Sequence, residues 1–163
     1  MGSRGSVIPF FLKEAHKGYL PITDNSMTRF NILLKEGVEL VLWAIENAIG
    51  SEIFVPKIPS YRITDVAEAI LPGGIRKQIG IRPGEKLHEQ MIGIEDAPYT
   101  FEYSGHFKIL PSINEWNKDP NRIANGKKVD ENFTYCSDNN SEWMEVSDLK
   151  KWIEVNKDKI GKI

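Results

Sequence analysis

Apolar residues recur at helical spacing most clearly from Lys35 to Ile49, where Val38, Val41, Leu42, Ile45 and Ile49 fall three and four residues apart and Gly50 closes the run. The pattern predicts an amphipathic helix that faces a core. Val7 to Lys17 reads as a second helix, with Ser6 as its N-cap, Ile8, Phe11, Leu12 and Ala15 among its apolar residues, and Gly18 as its stop. A third is predicted from Thr64 or Asp65 to Ile70, ended by Pro72-Gly73-Gly74, and a terminal one from Val146 to Val155, with Leu149, Trp152 and Ile153 along one side.

Strand signals are shorter. Leu20 to Thr23, Glu52 to Val55 and Lys77 to Ile81 read as strands, and Phe30 to Leu33 leads into the long helix after the Asp24-Asn25-Ser26 turn. Thr100 to Tyr103 and Phe107 to Leu110 suit a hairpin with Gly105 in its turn, whereas residues 111–140 look irregular. On this reading Arg82 stands at the carboxyl end of a strand and Glu85 opens a helix running through Met91. That is where open α/β sheets hold their ligands.

The chemistry of that junction gives the first functional signal. Arg82-Pro83-Gly84-Glu85-Lys86-Leu87-His88-Glu89, taken with Met27-Thr28-Arg29-Phe30, supplies two arginines and a carboxylate near loop edges. A guanidinium fork matches a diphosphate bidentately, and a carboxylate can accept both hydroxyls of a ribose, so the set suggests a nucleotide-sugar clamp. Pro83 and Gly84 fix the turn between. Plainer readings stand beside it: a turn that merely starts a helix, Arg29 in an ion pair with Asp24 or Glu36, Arg82 paired with Glu85, and Ser6 as a helix cap.

The ordered string Gly2-Ser3-Arg4-Gly5-Ser6-Val7-Ile8-Pro9-Phe10, Pro21-Ile22-Thr23-Asp24, Met27-Thr28-Arg29-Phe30, Phe54-Val55-Pro56-Lys57-Ile58-Pro59-Ser60 and R-P-G-E-K-L-H-E resembles the C-terminal part of the inverting UDP-N-acetylglucosamine 4,6-dehydratases. These are extended short-chain dehydrogenase/reductases of the pseudaminic acid pathway. The likeness runs almost end to end; related sugar-nucleotide dehydratases tend to carry His at the place of Pro83. It implies an α/β fold, the substrate-binding portion of a protein in the NAD(P)-binding Rossmann-like superfamily. It further implies that Arg29 and Arg82 grip the UDP diphosphate, that Glu85 takes the ribose hydroxyls, and that Gly5, Ser6 and Val7 line the uridine side.

Members of that family carry an N-terminal Rossmann half with G-x-G-x-x-G and a catalytic Tyr-x-x-x-Lys. Gly2-Ser3-Arg4-Gly5 has the wrong spacing and follows no strand, and Tyr19, Tyr61, Tyr99, Tyr103 and Tyr135 are never followed by Lys four residues on. The chain is therefore expected to be a piece of a longer reading frame, with Met1 once internal. The full-length enzyme would bind NADP; this chain alone would bind none and be inactive. Its partners would be the UDP-sugar, the missing Rossmann half or homo-oligomer subunits. The alternative is a stand-alone nucleotide-sugar binding module or an inactive truncated product.

Composition narrows the field further. The 163 residues are 40% hydrophobic with a net charge of −2 from 21 basic and 23 acidic side chains, which argues against nucleic-acid or membrane-surface binding. One cysteine, Cys136, forms no internal disulfide, and with no exporting leader the expected compartment is the cytoplasm. His88-Glu89 lacks a second His at zincin spacing, His16 and His106 lack ligand neighbours, and Asp138-Asn139-Asn140 reads as a turn, so no metal is expected. No linker or repeat divides the chain. Residues 1–110 are assigned to nucleotide-sugar binding and 111–163 to a tail with a terminal helix in the same domain.

Overall fold

The computed structural model describes residues 6–160. In chain order the elements are α1 (Val7–Glu14), β1 (Tyr19–Ile22), β2 (Thr28–Phe30), α2 (Leu34–Asn47), β3 (Ile53–Pro56), β4 (Ser60–Arg62), α3 (Ile63–Ile70) and β5 (Ile75–Gln78). There follow β6 (Gln90–Ile92), β7 (Thr100–Glu102), β8 (His106–Ile109), the single turn α4 (Pro120–Ile123), β9 (Lys127–Lys128), β10 (Tyr135–Cys136) and α5 (Val146–Asn156). This is the expected α/β architecture of short strands and helices. The residues sort into two compact units interleaved in sequence: residues 1–31, 59–89 and 140–163 form one, and residues 32–58 and 90–139 the other. Neither unit ends at residue 110.

The first unit grows from α1. Ser6 is extended at its N-cap position, Pro9 sits in the first turn where its missing N–H costs nothing, and Gly18 stops the run at φ 76° after a 3-10 turn over Ala15–Lys17. Its buried face of Ile8 and Phe11 joins Leu20, Ile22, Met27, Tyr61, Ile63, Val66, Ala67 and Leu149 in one core. β1 and β5 pair in parallel, Tyr19 opposite Ile75, and β2 and β4 pair antiparallel, Arg29 opposite Tyr61. α3 packs on both α1 and α5, and the Glu145 amide is capped by the Asp148 carboxylate at 3.1 Å.

The second unit holds an antiparallel sheet in the order β3-β8-β7-β9 and a separate β6–β10 pair. Its buried side chains include Val55, Ile92, Phe101, Phe107, Ile109 and Tyr135. The predicted hairpin is β7–β8. Within the stretch read as irregular lie a 3-10 segment over Ile113–Lys118, α4, β9 and β10.

Three expectations need correction. Residues 85–91 form no helix: the chain turns at Pro83-Gly84, runs irregularly and enters β6 at Gln90, because His88 and Glu89 are engaged by β2. The strand read over 77–81 lies at 75–78, set by its pairing with β1 and ended before Gly80 at φ 85°. The long helix exists, yet its apolar stripe is uncovered; no residue of α2 is buried, and exposure along it runs from 50% at Val38 to 72% at Ile45.

Candidate functional site

The loop from Arg82 to Glu89 is built on one tight turn. The Glu85 amide donates to the Arg82 carbonyl at 3.0 Å, with Pro83 and Gly84 at the central positions and Gly84 at φ 81°. Pro supplies the first angle of such a turn and only Gly takes the second without strain. The Glu85 carboxylate folds back to accept the Arg82 amide at 3.3 Å. Arg82 is exposed, and among the described residues no carboxylate pairs with its guanidinium. The turn therefore presents one cation beside one carboxylate whose position is already set.

β2 holds the rest of the loop. Arg29 donates from Nη1 to the carbonyls of Thr28 at 2.7 Å and Leu87 at 3.0 Å, and from Nη2 to that of Lys86 at 2.9 Å. Its nearest carboxylates are Glu85 at 3.8 Å and Glu89 at 3.7 Å, not Asp24 or Glu36. The Thr28 hydroxyl and His88 Nδ1 lie 2.7 Å apart in hydrogen-bond contact, and the Phe30 amide donates to Glu89 at 2.8 Å. Opposite Arg29, burial pushes the Tyr61 phenol well above its ordinary pKa, with the Glu89 charge adding to the rise and Arg29 opposing it. Asp24 is instead held below the usual carboxylate range by the hydroxyl and amide of Ser26.

Arg29, Arg82 and Glu85 are thus brought into one strand-and-loop assembly. Ser6 and Val7 stand at the start of α1 in the same unit, and Val7 packs on the core that also receives Leu87. Gly5 lies outside the described residues. Residue patterns gave no role to Thr28, His88 or Glu89, although all three belong to the strings that drew attention. Their partners lie about sixty positions away, which local spacing does not report.

Among the described residues no strand passes through a glycine-rich turn into a helix; Gly73 and Gly74 lie between α3 and β5. No group of three or more His, Cys, Asp or Glu side chains among them is arranged to hold a metal ion, and no helix among them is long and apolar enough to cross a membrane.

Known proteins share this chain's sequence over most of its length. It is 49% identical over 156 residues to a UDP-N-acetylglucosamine 4,6-dehydratase (inverting) of Campylobacter jejuni, covering 91% of this chain and 47% of the relative. It is 35% identical over 156 residues to a protein of Rickettsia akari named UDP-glucose 4-epimerase, covering 93% of this chain and 46% of that one. An X-ray structure of Pen from Bacillus thuringiensis superposes with a TM-score of 0.76 at 30% identity, over 96% of this chain and 47% of that one. The chain spans about half the length of the curated relatives it matches. The sequence profile of the family described as "Polysaccharide biosynthesis protein" matches residues 1–111. On that match, which takes in every residue of the loop and of β2, the chain belongs to the polysaccharide biosynthesis protein family.

Proposed function

We propose that this chain is the nucleotide-sugar-anchoring portion of a UDP-N-acetylglucosamine 4,6-dehydratase that inverts at C5. The observation that carries the reading is the Arg82–Glu85 turn, which sets an exposed guanidinium and a preplaced carboxylate side by side. Arg29 and Arg82 meet the diphosphate, Glu85 accepts from the ribose hydroxyls, and Gly5, Ser6 and Val7 line the uridine. Anchoring the non-reacting UDP holds the hexose in place against groups that this chain does not carry, so its contribution is positioning.

NADP would supply the transient oxidation at the sugar C4 in the whole enzyme, bound by residues outside this chain. The uncovered stripe of α2 supports a requirement for a second polypeptide portion. Large apolar patches on a folded protein mark surfaces that other protein covers. The Rickettsia relative's name favours a neighbouring reading, a UDP-hexose epimerase. The higher identity to the Campylobacter dehydratase, 49% against 35%, favours the dehydratase, and Pro83, where related sugar-nucleotide dehydratases tend to carry His, favours the inverting kind.

Calorimetric titration with UDP-N-acetylglucosamine tests the anchor, after circular dichroism has confirmed folding. Binding by the wild-type chain that Arg82→Ala abolishes is the expected result. Absence of heat from a folded chain would sink the idea that it anchors the nucleotide by itself.

A further inference from the structure

Resting on the anchoring reading above, we infer that Tyr61 is a further substrate-binding residue: its phenol donates a hydrogen bond to the same diphosphate that Arg29 and Arg82 meet. Tyr61 stands directly opposite Arg29 in the antiparallel β2–β4 pair. Residues so opposed share a face of the sheet, with Cβ atoms about 5 Å apart. The Arg29 guanidinium gives Nη1 to the carbonyls of Thr28 and Leu87, and Nη2 donates to that of Lys86. Its Nε–Nη2 edge meets Glu89 and Glu85 only at 3.7 and 3.8 Å, beyond hydrogen-bond length, which leaves that edge for a phosphate.

The phenol beside that edge lacks an acceptor. Tyr61 is 4% exposed and belongs to the core of the first unit, against which Leu87 of the loop also packs. Its hydroxyl nevertheless makes no hydrogen bond to any described residue. The equally buried Tyr135 is satisfied within the protein: its hydroxyl takes the Ile58 amide at 3.0 Å and gives to the Ile58 carbonyl at 3.1 Å. Buried hydroxyls are costly to leave unpaired, so one that the fold leaves open points to a partner from outside. Among the described residues, the partnerless side-chain atoms sealed from the surface are Asn31 Oδ1 and Trp152 Nε1. The Tyr61 oxygen is not one of them, so that end of the residue reaches the surface. It does so beside Glu89 and Arg29, whose charges both act on it. Burial first, then Glu89, keeps the phenol neutral, hence a donor, at any pH near neutrality. Glu89 already takes the Phe30 amide at 2.8 Å. Arg29, Arg82 and Tyr61 thus offer donors alone, and the ligand that completes them is an anion rich in acceptors.

Carbon-13 NMR of the wild-type chain reads the contact directly. The ring Cζ of Tyr61, which carries the oxygen, should shift as UDP saturates the chain and stay in place with uridine at the same concentration. A Tyr61 resonance unmoved at saturating UDP, or moved equally by uridine, would overturn the proposal.

Tyr61→Phe keeps the ring in the core and removes only the oxygen. It should weaken UDP by about tenfold or more, because the lost hydrogen bond ran to a charged acceptor. The removed group is neutral, so the salt dependence of binding should stay that of the wild type, whereas Arg82→Ala should flatten it. Undiminished affinity in Tyr61→Phe, with UDP still lost in Arg82→Ala, overturns the phenol contact and leaves the anchoring reading standing. If the wild-type chain binds no UDP, the anchoring reading fails for this chain and the phenol contact fails with it. If Tyr61→Phe does not fold, the Cζ shift of the wild type decides.

Discussion

The carboxylate of Glu52 and the guanidinium of Arg122 meet at 2.7 Å, with their side chains 1% and 9% exposed. Each has further partners: Glu52 accepts the Gly50 amide at 2.6 Å, while Arg122 donates to the Gly50 carbonyl at 2.8 Å and lies 4.1 Å from the Trp116 ring centroid. Seventy positions of sequence are closed by this one contact, which ties α4 to the entrance of β3. Removing Arg122 leaves the Glu52 carboxylate stranded out of water, whereas removing the Glu52 charge leaves Arg122 a second carboxylate, Asp119 at 3.6 Å. Arg122→Ala should cost about 3 kcal/mol or more, and Glu52→Gln less, each read as a lower urea midpoint. A loss under about 1 kcal/mol would show that water reaches the pair, as at a surface salt bridge.

Gly84 takes a positive φ with no heavy atom within 4 Å of where a Cβ would sit. Gly84→Ala therefore meets no clash and suffers only the backbone strain of the left-handed region, about 1 kcal/mol, and Gly84→Asn less. Thermal melts of the two variants check the order. Equal melting temperatures for wild type and Gly84→Ala would refute it.

His106 stacks on Tyr103 with ring centroids 4.7 Å apart and meets Trp43 of α2 edge-on at 4.7 Å. Burial first, then the positive charges of Lys108 and Lys57, hold its pKa below the ordinary 6.5. As pH falls the unfolded chain protonates at the ordinary value while the folded one resists. Stability is thus lost below about pH 6.5 and unaffected by this group above it. His106→Gln should remove that part of the acid slope, measured as the difference between the two proteins' stabilities at pH 7.5 and 5.5. Parallel slopes would exclude His106 as the cause.

The exposed stripe of α2, with Val41, Ile45 and Ile49, should bind a hydrophobic dye and drive self-association of the purified chain. Val41→Glu with Ile45→Lys should cut dye fluorescence and keep the chain monomeric in ultracentrifugation, at a stability cost within about 0.5 kcal/mol because nothing buried is lost. A large drop in stability would mean that the stripe is covered after all.

The helices α1, α2, α3 and α5 were legible because each combines apolar periodicity with a local stop or cap, such as Gly18 after α1 or Pro72-Gly73 after α3. The same periodicity misled at α2. It states that Val38, Val41 and Ile45 want cover, not which polypeptide provides it. At residues 85–91 the acidic residue after Pro-Gly imitated a helix start, but His88 and Glu89 answer to Thr28 and Phe30, partners that only the folded chain supplies. Arg82 and Glu85 could be singled out because their turn chemistry is local. The surroundings of Arg29 could not, since its acceptors are backbone carbonyls, which every residue has.

The polypeptide passes from one compact unit to the other four times, at residues 31–32, 58–59, 89–90 and 139–140. Exchange of either unit between genes is constrained accordingly. Exchange by recombination of the unit that carries the sheet needs two separate crossovers pairs in a single gene, and exchange of the unit that carries the Arg82 loop needs three imported segments to arrive together. Point substitution within its own segments is the simpler way for either unit to change.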